Sequence, residues 1–220
     1  APGRVTVIPA GTDPAAYPDL SPAEARRQVG LAERPTVGFV GRLAAYKGID
    51  TLMDAARALW EDQPDTTVLI AGSPSGWSGY RDPALAAVGG DRLVLREGFT
   101  DPERALLLAA CDVVVHPSRE ESFGMVAIES GAARRTIVAA DIPAVRCVVE
   151  QGTTGELIPP GDAAALARTL LDLLADPDRR RAQGAAGRAA VEERYSWDRI
   201  GDSWQDLLAD VVGRTTTGDR

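Results

Sequence analysis

Histidine is nearly absent from this chain of 220 residues, cysteine is scarce, and positive charge is outnumbered. With only His116, neither a histidine metal cluster nor Ser-His-Asp chemistry has enough material to form. His116 lies beside a proline at a strand end, where a packing or surface hydrogen-bonding role is expected before a catalytic one. The two cysteines, Cys111 and Cys147, make neither a disulfide framework nor a metal site. Cys111 borders an apolar run and reads as a buried structural thiol. A net charge of −8 leaves no basic footprint for nucleic acid. No stretch reaches the roughly 18 apolar residues of a membrane span, and no signal peptide precedes the first strand, so a cytoplasmic protein is expected. Internal repeats and low-complexity segments are also missing.

What is present is a globular composition, 45% hydrophobic, suited to one domain or slightly more. Ala1-Pro2-Gly3 runs quickly toward a strand, as though the chain were cut just upstream of a domain. Strand-like and helix-like segments then alternate. Strands are expected at Val5–Ile8, Thr36–Val40, Thr67–Ala71, Leu93–Glu97, Val113–Val115, Ile137–Ala140 and Gly155–Ile158. Ser21-Pro22-Ala23-Glu24 forms a capping box for a helix closing near Gly30. Ile49, Leu52, Met53, Ala56 and Leu59 repeat at helical spacing, Asp101-Pro102 caps a helix to about Ala110, and Asp162 caps another through Leu174. Two more helical segments follow, and residues 214–220 read as a loose polar tail. The alternation predicts an α/β fold. It is a Rossmann-like, doubly wound, mostly parallel sheet with helices on both faces and extra C-terminal helices. In such sheets ligands gather at the carboxyl ends of the strands.

The polar clusters follow that rule. Arg42 and Lys47 share one glycine-bracketed loop after a strand, a fork and a mobile point charge suited to a diphosphate. Glu121 and Glu129 lie eight positions apart across a Ser-Phe-Gly turn that opens an apolar helix. The turn and helix start offer free N–H groups to an anion. With a helix beginning near Phe123, Glu129 would stand about 9 Å along the axis, roughly the reach from a diphosphate to a ribose, whose hydroxyls suit a carboxylate acceptor. Glu120 is expected to be solvated.

These residues, with Gly152-x-x-Gly155-Glu-Leu-Ile-Pro-Pro-Gly-Asp162 downstream, resemble the C-terminal domain of a retaining glycosyltransferase. The family is the nucleotide-sugar-dependent family four (glycosyl transferases group 1), with the two-Rossmann-domain GT-B fold. Val7-Ile8-Pro9-Ala10-Gly11-Thr12-Asp13 resembles its interdomain segment, with Ala10 and Thr12 in place of the usual Asn and Val. The Glu121-to-Glu129 wording is similar to actinobacterial-type members that add a sugar to inositol phosphates or small metabolites. The resemblance implies a donor-binding domain over residues 1–214, a tail over 215–220, and an acceptor-binding N-terminal domain absent from this chain. Arg42 and Lys47 would grip the diphosphate of a UDP or GDP sugar, and with Glu121 they form the expected catalytic set. Glu129 would take the ribose hydroxyls and Phe99 would edge the base. Glu121, with Ser122, Phe123, Gly124, Met125 and Val126, would meet the sugar and distal phosphate. Neither a metal nor a further cofactor is implied. A lipid acceptor would bring the full-length enzyme to a membrane surface, and the fragment alone would be inactive.

Three departures keep a second reading open, a degenerate nucleotide-binding or interaction module. Arg134 and Thr136 replace the Gly and Pro usual before the strand at Ile137, and Pro143-Ala144 with Cys147 replaces a Gly-Gly-x-x-Glu element. A dehydrogenase-type dinucleotide binder is a weaker third, because no G-x-G-x-x-G follows the first strand.

Overall fold

The structure is a computed structural model and describes residues 5–217, with side-chain surroundings through Val212. Six strands form one sheet, parallel throughout: β1 (Thr36–Leu43), β2 (Thr67–Pro74), β3 (Leu93–Glu97), β4 (Val113–His116), β5 (Thr136–Ala140) and β6 (Glu156–Ile158). Their spatial order is β3-β2-β1-β4-β5-β6. The order reverses between β1 and β4, so the topological switch point, where open α/β sheets bind ligands, lies there.

Nine helices accompany the sheet among the described residues: α1 (Pro22–Val29), α2 (Ile49–Asp62), α3 (Pro83–Gly89), α4 (Asp101–Ala110), α5 (Met125–Ala132), α6 (Pro143–Arg146), α7 (Ala163–Ala175), α8 (Pro177–Arg194) and α9 (Trp197–Thr217). Alternation along each strand feeds two cores. Val40, Leu69, Ala71, Val114 and Ile137 face α1, α4, α5 and α8, whereas Val37, Phe39, Ile70, Val113 and Val138 face α2 and α7. Burying both faces removes the outer polar stripe and gives near-continuous apolar strands such as Val68-Leu69-Ile70-Ala71.

The capping box forms as expected: Ser21 Oγ accepts from Glu24 N–H, Glu24 accepts from Ser21 N–H, and Gly30 closes α1 at φ 68°. Cys111 is buried, its thiol donating to Leu107 O at 3.2 Å, and burial pushes its pKa up to about 12. Several boundaries differ from the sequence reading. β1 runs on to Leu43, so Arg42 stands on the strand and not in the loop with Lys47, and β2 runs on to Pro74. Residues 5–8 join no strand; Val5 and Val7 are exposed, and the segment continues to Thr12, which bridges Ser196 between α8 and α9. A short apolar run becomes a strand only where a sheet edge accepts it, and this one passes the helices instead. The cap of α4 is Thr100, paired with Glu103 in a second capping box, which leaves Asp101 in the first turn. Finally, α9 continues to Thr217, into the stretch expected to be loose, while residues 1–4 and 218–220 lie outside the described residues. No described helix is long and apolar enough to cross a membrane.

Arg134 has φ 56°, a left-handed conformation that costs an L-residue about 1–2 kcal/mol. It stands where the resembled family uses glycine. Arg134→Gly should therefore raise the melting temperature by a few degrees, part of the relief being offset by the flexibility glycine adds to the unfolded chain. A lower melting temperature would show that the Arg134 side chain contributes more than its backbone costs.

Candidate functional site

The site begins with two loops that flank the switch point. After β1, a 3₁₀ turn at Ala45–Lys47 leads to Gly48, at φ 68°. A Cβ on Gly48 would stand 2.0 Å from Pro117 O, so glycine alone lets this loop rest on the segment leaving β4. Arg119 fastens the contact. Its N–H donates to Tyr46 O at 2.8 Å, and its guanidinium donates to both carboxylate oxygens of Asp50 at 2.9 and 2.8 Å.

Between these loops and the start of α5 lies a hollow of about 220 Å³. Arg42, Lys47, Glu121, Ser122, Phe123, Gly124, Met125 and Val126 all line it. Phe99 and Glu129, the remaining expected positions, do not. Arg42 is exposed and has no carboxylate partner among the described residues. Lys47, the only lysine in the chain, donates instead to Glu121 Oε1. Gly124, at φ 91°, turns the chain into α5, and the first N–H groups of that helix have no intrahelical acceptor. Phe123 packs edge-on against Tyr195, with ring centroids 6.1 Å apart, so the α8–α9 junction supports the turn. Glu120 is exposed, as expected.

Glu121 is the electrostatic centre. Burial alone would raise its pKa, but His116 and Lys47 outweigh burial and hold it at about 2. His116 Nε2 lies 2.9 Å from Glu121 Oε1, and the imidazole is 1% exposed on its side chain. His116 is thus packed inside, one of the two expected roles, and not on the surface, and it also lines the hollow. Because the folded pKa of Glu121 lies below its ordinary 4.5, its ionised form adds stability above about pH 4.5, and that stability is lost as pH falls toward 2. The contribution is on the order of 3 kcal/mol. Glu121→Gln should stay folded at pH 7 and lose less stability than the wild type between pH 5 and 2. Parallel acid limbs in chemical denaturation would contradict this.

Glu129 is buried, 8% exposed, and accepts from Arg104, which does line the hollow. Burial raises the Glu129 pKa despite that cation. Since α5 starts at Met125, not near Phe123, Glu129 stands only about 6 Å along the axis. Its link to the hollow is Arg104, which lines it. Oε1 of Glu129 keeps no partner among the described residues. Arg104 carried no sequence signal, being one arginine on an amphipathic helix; the crossover from β3 to β4 brings it here. Phe99 lies beyond the end of β3 on a separate cleft of about 180 Å³ with Val29 and Arg96, and it packs against the core.

With this geometry in hand, comparison with known proteins is direct. The family described as "Glycosyl transferases group 1" matches residues 22–190, well over half the chain. The chain belongs to this family. It is 36% identical over 233 residues to a D-inositol 3-phosphate glycosyltransferase of Salinispora tropica, covering 98% of this chain and 48% of that protein. The same-named protein of Salinispora arenicola is 39% identical over 234 residues, with 96% and 50% covered. The chain thus spans about half the length of the relatives it matches. Among solved structures, the sucrose-phosphate synthase of Thermosynechococcus elongatus superposes with a TM-score of 0.84 at 30% identity, covering 96% of this chain and 54% of that one. HepE of Anabaena, solved with UDP and glucose, gives 0.79 at 26%, covering 91% and 55%. The C-terminal domain of the Francisella tularensis group 1 protein LpcC is covered completely, together with 85% of this chain, at a TM-score of 0.77 and 22% identity, a likeness of fold. This glycosyltransferase chain therefore has the fold of a GT-B C-terminal domain.

Proposed function

We propose that the chain is the donor-binding half of a retaining hexosyltransferase that takes its sugar from a nucleoside diphosphate sugar. The observation that carries this reading is the shared hollow at the switch point, where Arg42, Lys47, Glu121 and the start of α5 converge. Arg42 and Lys47 would take the diphosphate. As the bond to the anomeric carbon breaks, charge builds on the departing phosphate, and two cations with the N–H groups of α5 would stabilise it. The sugar would pass through an oxocarbenium-like state beside Glu121. Glu129 would offer Oε1 to the ribose hydroxyls while Arg104 keeps Oε2. Anabaena HepE, solved with UDP and glucose, supports a uridine diphosphate sugar as the first donor to test. The D-inositol 3-phosphate glycosyltransferase relatives support an inositol phosphate acceptor, read by the part of those relatives that this chain does not span.

Calorimetric titration with UDP and GDP tests the reading. One nucleotide should bind, and Glu129→Ala should remove that binding with the fold intact. No binding of either nucleotide by the folded wild type would leave a degenerate module as the better reading. Incubated with a donor and an inositol phosphate, the chain alone should form no glycoside, because closure by a second domain is how such sites exclude water. Product formation would place the acceptor site within these 220 residues.

A further inference from the structure

We propose that His116 is a positioning residue that holds Glu121 in place for the donor sugar when Lys47 turns to the diphosphate; this rests on the donor-binding reading above. The only histidine and the only lysine of the chain meet on one oxygen, Glu121 Oε1. Oε2 has no partner among the described residues and is left for a hydroxyl from the hollow that Glu121 lines. Glu121 itself lies outside regular structure, between β4 and α5, so nothing in a helix or strand orients it.

Lys47 cannot serve both anions equally. A diphosphate drawn in by Arg42 carries more charge than a carboxylate, and it would win the ammonium group. Glu121 would then lose its one hydrogen-bonded hold just as a like charge arrives beside it. Freed from Lys47, the carboxylate can align with His116 Nε2, 2.9 Å from Oε1 and independent of the phosphate, instead of swinging away. His116 is built for that task. It sits at the end of β4, one residue before the rigid Pro117 and almost wholly buried, so its ring has little freedom to follow the ligand. Both ring nitrogens of His116 and the neighbouring Ser118 Oγ are buried without a formed hydrogen bond, Nε2 standing 2.9 Å from Glu121 Oε1 but out of line with it, a cost in a fold that satisfies most buried polar groups. A strand end that keeps such unpaired groups is one where function outweighs stability.

Because the chain has one histidine, its ring nitrogens give a single set of NMR signals. In the free protein, Glu121→Gln should shift those signals, and unchanged signals would overturn the contact without reference to any nucleotide. Titration with UDP and UDP-glucose then tests the role. His116→Ala should weaken UDP-glucose about tenfold more than UDP, and His116→Gln, whose amide N–H reaches a similar point, should restore most of the loss. Equal losses for both ligands, or no loss in a folded variant, would overturn the positioning role. A wild type that binds neither ligand would remove the donor reading and the role with it, even where the ring signals still follow Glu121.

Discussion

Lys47→Ala is expected to lower affinity for a nucleoside diphosphate about a hundredfold while changing affinity for the bare nucleoside less than threefold. The figure follows from losing one charge-assisted hydrogen bond of about 1.5–3 kcal/mol in a half-enclosed site where, besides Lys47, Arg42 is the one lining Lys or Arg not paired with a carboxylate among the described residues. The free protein complicates the result in a testable way. Lys47 starts on Glu121, so part of its phosphate affinity is spent in leaving that carboxylate. Glu121→Gln should consequently bind the diphosphate somewhat more tightly than wild type, even as it loses grip on the sugar. Equal losses for diphosphate and nucleoside in Lys47→Ala would take the residue out of the phosphate clamp.

A larger structural effect is expected from Gly48→Ala. A left-handed φ of 68° costs alanine about 1–2 kcal/mol, and its Cβ would fall 2.0 Å from Pro117 O, which no rotamer can relieve. The loop must lift off the β4 exit, carrying Lys47 from Glu121 and loosening the Arg119–Asp50 clamp. We expect a loss of about 3 kcal/mol or more, read as a fall of roughly 6–12 °C in melting temperature, together with loss of diphosphate binding. Gly76→Ala is the matched control. It has φ 84° with nothing within 4 Å, so it should show the conformational cost alone, and nucleotide binding should be unchanged. Equal behaviour of the two variants would mean that the Pro117 contact does not hold the site together.

Much of this was readable in advance where local chemistry and tertiary demand agree. The capping box at Ser21, the glycine stop at Gly30 and the helical spacing from Ile49 to Leu59 each have a local cause, and each formed. The hollow was legible because sheets of this class bind at their carboxyl edge, which places Arg42, Lys47 and Glu121 without any contact being known. Other features have no local cause. Val5–Ile8 is apolar enough for a strand, yet pairing needs a free edge, and sequence does not say where edges lie. The Glu129–Arg104 pair joins two helices from separate crossovers, and its arginine looked like any surface cation. A histidine beside a proline has many uses, and only the arrival of Glu121 at 2.9 Å sets His116 apart.

The reversal of strand order has a consequence for how this protein acquires its activity. The loop that carries Lys47 leaves β1, while the carboxylate and imidazole leave β4, after two whole crossovers have been laid down on the opposite side. A nascent chain ending at α4 would own both cations and half a sheet, yet recognise nothing. On the donor-binding proposal, nucleotide binding would therefore report late, long-range assembly, and a ligand that favours the finished site would draw the chain toward completion by mass action.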